Sequence, residues 1–78
     1  MSDLEKYIDA FTSTFDIGPE QTAGLTYQSI DAWDSVGHMG LVAAIEDAFG
    51  IMMDADDIID LSSFEKGQEI LKKYHIET

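Results

Sequence analysis

The sequence predicts an all-α domain, a small four-helix bundle with three longer helices and a short third one. Three observations predict it. Apolar residues recur at helical spacing near the start, middle and end of the chain. Each periodic run follows a Ser or Asp suited to the N-cap position. Finally, 78 residues, 45% of them hydrophobic, make one domain (1–78) with a core too small to divide.

Ser2 and Glu5 have the spacing of a capping box, and Leu4, Tyr7, Ile8, Phe11 and Phe15 then mark one face. The first helix therefore runs from about Asp3 to about Phe15, with its aromatic stripe in the core. Gly18-Pro19 is the expected stop, because proline lacks a donor and restrains the residue before it. From Asp16 to Trp33 no period is evident. A connection this long in a small domain needs pinning, for which Leu25, Tyr27, Ile30 and Trp33 are the candidates.

The second helix is expected from about Ser35 to about Phe49, capped by Asp34 and ended by Gly50. Its buried line is read as Leu41, Ile45, Ala48 and Phe49, with Val36, Met39 and Ala43 toward another, partly exposed face. Gly37 and Gly40 weaken its first turns and leave backbone open to a partner. Asp54 can cap a short third helix near Ala55 to Ile59. Ser62 and Glu65 repeat the capping-box spacing ahead of a fourth helix, whose face is Phe64, Ile70, Leu71 and Tyr74 and whose last turn holds Lys72 and Lys73.

Sixteen acids against four lysines give a formal charge of −12. Such a chain repels nucleic acid and anionic membranes and favours partners with basic docking patches. Without cysteine it can build no disulfide, zinc-thiolate site or thiol nucleophile, so a reactive sulfur must arrive on a prosthetic group. The first residues lack the basic and apolar regions of a signal peptide, and no apolar run approaches the roughly eighteen residues of a membrane span. A cytoplasmic monomer is expected.

Chemistry concentrates at Trp33-Asp34-Ser35-Val36-Gly37-His38-Met39. With Asp34 as cap, Ser35 stands in the first helical turn, where unpaired N–H groups and the positive helix end favour a phosphodiester on its oxygen. Asp34 and Ser35 alone also fit an ordinary helix start. The wider run, Asp34-Ser35-Val36-Gly37-His38-Met39 with Leu41, Ile45-Glu46-Asp47 and Phe49-Gly50, resembles the acyl carrier proteins over nearly the whole chain.

That resemblance implies a carrier, not an enzyme. A phosphopantetheinyl transferase would place 4′-phosphopantetheine from coenzyme A on Ser35, with Asp34 as cap and transferase-recognition residue. The arm would hold an acyl or aminoacyl group as a thioester, for a loading enzyme and downstream acyl-processing enzymes of fatty-acid, polyketide or specialised biosynthesis. By position in the family, Val36, Met39, Ala43, Glu46, Asp47, Asp56 and Asp57 are the implied docking residues. They lie in a segment, Asp34 to Asp60, with seven acids and no lysine or arginine. A slot for the chain is expected between the second and third helices, lined by Leu41, Ile45, Phe49, Ile58 and Leu61. Three departures from the family pattern point to a discrete carrier of a specialised pathway: Val36 in place of leucine, Gly40 in place of an acid, and the run Gly37-His38-Met39.

Other chemistries fit less well. Ser35 and His38 share a helical face, but the serine lacks the strand-turn-helix elbow of a hydrolase, and His38 is expected at the surface. Asp54, Asp56, Asp60 and Glu65 match positions 1, 3, 7 and 12 of a calcium loop, but Ile58 and Ile59 stand where a ligand and a glycine belong, so no dedicated metal site is expected. A small acidic interaction module without covalent modification explains the charge equally well; only the context of Ser35 argues against it.

Overall fold

A computed structural model describes residues 2–78 and is all-helical in its regular elements, in the order α1 (Asp3–Phe15), a 3₁₀ turn (Pro19–Gln21), α2 (Ser35–Phe49), α3 (Ala55–Asp60) and α4 (Phe64–Lys72). Among the described residues no helix is long and apolar enough to cross a membrane.

α1 starts at the expected capping box, with Ser2 Oγ accepting from the Glu5 N–H at 3.1 Å and Glu5 turning back to the Ser2 N–H. It ends at Asp16, which adopts a left-handed conformation (φ 55°) and whose N–H returns to the Thr12 carbonyl. The helix is therefore stopped before Gly18-Pro19; Pro19 instead opens the 3₁₀ turn, where a missing N–H costs nothing. Tyr7, Phe11 and Phe15 are buried as read, together with Ala10, whereas Leu4 at the helix start is exposed. Their rings meet Phe64 and Trp33 in a mostly edge-to-face aromatic cluster, with Phe11 central at 5.0–6.0 Å from its neighbours. The Tyr7 hydroxyl, inside that cluster, donates to the Phe64 carbonyl at 2.7 Å. Burial first, and then the charge of Glu65, pushes its ionisation far above the ordinary tyrosine value, so it remains a donor.

The long connection is an ordered strap. Leu25 and Trp33 are buried and Ile30 packs beside the core, while Tyr27 lies partly exposed over Trp33. The strap pairs with the α3–α4 junction through Tyr27 N–H to the Ser62 carbonyl and Phe64 N–H to the Leu25 carbonyl, both 2.8 Å. This short bridge resolves where α4 begins. Ser63, not Ser62, is its N-cap, accepting from the Lys66 N–H at 2.9 Å, because the Ser62 carbonyl is taken by the strap. Glu65, expected to complete a capping box, accepts instead from the Gly24 N–H at 3.0 Å.

α2 has the expected limits, with Asp34 accepting from the Gly37 N–H at 2.7 Å and Gly50 left-handed at φ 63°. Its buried line is Leu41, Val42 and Ile45, whereas Ala48 and Phe49, expected on that line, are only half-buried. Asp54 occupies the cap position of α3 but makes no side-chain cap bond; its N–H donates to the Tyr74 hydroxyl.

Candidate functional site

Ser35 is the first residue of α2 and is exposed. The Asp34 carboxylate takes the Gly37 N–H, and the Asp34 carbonyl takes the His38 N–H at 2.7 Å. Among the described residues, the Ser35 hydroxyl and the Ser35 and Val36 N–H groups have no hydrogen-bond partner. Two free amides at a helix N-terminus beside an exposed hydroxyl favour an anion such as a phosphate there. The backbone around it has little freedom: Gly37 lies so close to the strap that a Cβ there would collide with the Ala32 carbonyl. Gly37 is thus filled from inside, contrary to the expectation that it leaves room for a partner, whereas Gly40 meets only the Thr14 methyl at 3.6 Å.

Ser35 opens onto an apolar groove of about 450 Å³ between the start of α2 and α3, lined by Tyr27, His38, Met39, Ile58, Ile59 and Leu61, with Ser62 at one end. The slot expected from sequence is therefore displaced toward the helix start. Ile58 and Leu61 line it, but Leu41 and Ile45 are core residues and Phe49 packs against that core further along α2. One turn of helix from Ser35 the side chains of His38 and Met39 still line the groove, whereas Leu41 and Ile45, further along α2, are turned into the core. Met39 (55% exposed) and Ile59 (77%) line the opening, and Val36 (80%), next to Ser35 in sequence, is also exposed.

His38 departs most from expectation. Far from lying free at the surface, it is half-buried between Trp33, stacked at 6.2 Å, and Tyr27, edge-on at 5.5 Å. The Trp33 Nε1–H donates to its Nδ1 at 3.0 Å, and its Nε2 lies 2.8 Å from the Ile58 carbonyl. Since indole only donates and a carbonyl only accepts, the ring carries its proton on Nε2. It has no hydrogen-bonding capacity left for a nucleophilic serine. A signal was present in the sequence: a buried tryptophan needs an acceptor for its N–H, and His38 is a nearby side chain that can accept.

In comparisons with known proteins, no family model, no curated protein and no solved structure matches this chain.

The proposed docking residues divide. Val36, Met39, Ala43, Asp47 and Asp56 are exposed. Asp57 is not available to a partner: it is 3% exposed, with one carboxylate oxygen paired to Lys73 Nζ and the other accepting from the Tyr74 hydroxyl at 2.6 Å. Those bonds, Lys73's first, hold its carboxyl below the ordinary aspartate range against the opposing effect of burial, while Lys73 and Tyr74 are raised chiefly by the same contact. Glu46 is also committed, accepting from the Met53 N–H at 2.9 Å and fixing the α2–α3 connection. A buried or bonded carboxylate carries the same formal charge in the sequence as an exposed one, so the acidic segment presents fewer free charges than its composition suggests. The stretch Asp54–Asp60 is helical from Ala55 onward, so its aspartates do not form the loop a calcium site needs.

Proposed function

We propose that this chain is a carrier protein bearing 4′-phosphopantetheine on Ser35, which presents an acyl or aminoacyl group to partner enzymes. One observation carries the proposal: an exposed, unengaged serine hydroxyl, next to two free amides at a helix N-terminus, opens directly onto an apolar groove. The residues present fit the group. Ser35 would supply the oxygen, the unpartnered Ser35 and Val36 N–H groups would favour an anionic group at the helix start, and the groove would accept what the arm brings. When bound, the group supplies the thiol that this cysteine-free chain lacks. In the attachment, the Ser35 oxygen displaces the nucleotide leaving group of coenzyme A and loses its proton. Asp34 keeps the helix start, and hence that oxygen, in one place. The exposed apolar side chains Met39 and Ile59 at the groove, with Val36 exposed next to Ser35 and Asp47 and Asp56 exposed elsewhere on α2 and α3, suit a partner surface that combines apolar and basic groups.

The test is incubation with coenzyme A, magnesium and a broad-specificity phosphopantetheinyl transferase, followed by intact-mass measurement. The chain should gain the mass of one phosphopantetheine group, and Ser35→Ala should gain none. Failure of the unaltered chain under conditions that modify a control carrier would refute the proposal and leave the acidic interaction module in its place.

A further inference from the structure

We propose that His38 is the positioning residue of the groove, a neutral imidazole latch that holds α3 as the wall facing Ser35. Only the identity of what enters the groove rests on the carrier proposal; the latch itself belongs to the unmodified chain.

α3 has six residues, too few to be stable alone, and its last carbonyls have no partner within the helix. On the α4 side it is tied by Asp57 to Lys73 and Tyr74. On the α2 side the polar tie is the Ile58 carbonyl, which accepts from His38 Nε2–H at 2.8 Å. His38 thus satisfies an orphan carbonyl of one helix from the first turn of another. Its tautomer is set from behind: the Trp33 indole, 0% exposed, must place its N–H on an acceptor, and Nδ1 at 3.0 Å is that acceptor. Trp33 N–H, His38 and Ile58 C=O therefore form one directed chain from the core to the groove wall. Each end would be a buried or helix-terminal polar group without a partner if the imidazole were removed. Because Ser35 and His38 line the same groove, the residue that carries the cargo and the residue that fixes the opposite wall sit on one helical turn.

Two isosteric halves of histidine separate the two bonds. In His38→Asn the amide oxygen can stand where Nδ1 stands and accept from Trp33, but the side chain falls short of Ile58. In His38→Gln the amide nitrogen can stand where Nε2 stands and donate to Ile58, leaving Trp33 unpaired. The readouts are the indole N–H resonance of the single tryptophan and the amide resonance of Ile59, whose nitrogen is bonded to the Ile58 carbonyl carbon. His38→Asn should keep the indole resonance, move Ile59 and speed amide exchange in α3 roughly tenfold, as loss of one hydrogen bond implies. It should also change the affinity for the uncharged apolar probe N-phenyl-1-naphthylamine several-fold. His38→Gln should move the indole resonance and leave Ile59, α3 exchange and probe binding near those of the unaltered chain. The imidazole nitrogen resonances of the unaltered protein should show the Nε2–H tautomer, a measurement that needs no variant to fold. An Nδ1–H tautomer, or α3 resonances and exchange unchanged in His38→Asn, would overturn the latch. All of this is read without transferase or coenzyme A, so failure of the carrier proposal leaves it standing, and its own failure leaves the mass-gain test untouched.

Discussion

Asp57 shows how a single residue can be misjudged from its neighbours in sequence. It follows Asp56 and precedes two isoleucines, and nothing local distinguishes it from the exposed acids around it. What buries it is Lys73, sixteen residues on, together with Tyr74, which also takes the Asp54 N–H. The pair gives stability a definite pH dependence. Because the folded state holds the Asp57 carboxyl below its ordinary range, the unfolded chain takes up the proton first on acidification. The contribution is complete above about pH 5, where an unfolded aspartate is almost fully ionised, and disappears as pH falls through the lower folded value. Lys73 is raised, so its share is present throughout the neutral range and would be lost only at strongly alkaline pH. Asp57→Asn should therefore be less stable than the unaltered chain at pH 7, with a shallower acid limb, and the two stability curves should converge as pH falls below the ordinary aspartate range. Urea unfolding at a series of pH values measures this; parallel curves would show that the pair contributes nothing specific.

Among the elements, α2 was the most legible and also held the instructive error. Its limits followed from local chemistry alone, because Asp34 and Gly50 are cap residues whose bonds close within three or four positions. The same locality made α1 readable from Ser2 and Glu5. Where a bond spans the fold, the local signal misleads: Ser62 and Glu65 have capping-box spacing, but Glu65 bonds to Gly24 and Ser62 gives its carbonyl to the strap, so the cap passes to Ser63. The candidate site divides in the same way. Ser35 and Asp34 were visible as a helix start, whereas the groove depends on α3 lying against the first turn of α2, which His38 brings about through partners five and twenty residues away. Gly37 and Gly40, alike in sequence as helix-weakening residues, differ once α1 and the strap are in place. Gly37→Ala drives a methyl into the Ala32 carbonyl and should cost about 1–3 kcal/mol, in the range of overpacked sites. Gly40→Ala meets only ordinary contact with Thr14 and should gain up to about 1 kcal/mol from helix propensity. Opposite shifts of the urea midpoint would confirm that α2 is tightly seated at Gly37 and loosely at Gly40; equal shifts would not.

At the scale of the whole molecule, the dominant long-range term is self-repulsion, with a formal charge of −12 on a body measuring 30 × 27 × 19 Å. Among the described residues two ion pairs, Lys66–Glu69 and Lys73–Asp57, engage two of the four lysines, and the remaining acids are mostly exposed. At about 0.01 M ionic strength the Debye length is about 30 Å, equal to the longest dimension, so every acid acts on every other. At about 0.15 M it is about 8 Å, and repulsion across the molecule is gone. Added salt also screens the attractive pairs, but two attractions among sixteen acids are the smaller effect, and exposed pairs contribute little in any case. The melting temperature should therefore rise with sodium chloride, steeply up to about 0.15 M and only slightly beyond. That profile separates screening from exclusion of salt from apolar surface, which continues to grow at molar concentrations. Replacing two exposed acids, Asp47→Asn with Asp56→Asn, should reduce the low-salt rise while leaving the plateau nearly unchanged, since neither residue makes a side-chain hydrogen bond or ion pair among the described residues. Thermal scans of both proteins across that range decide it: a flat profile at low salt, or one that climbs evenly to molar salt, would mean that the acidic surface does not govern stability.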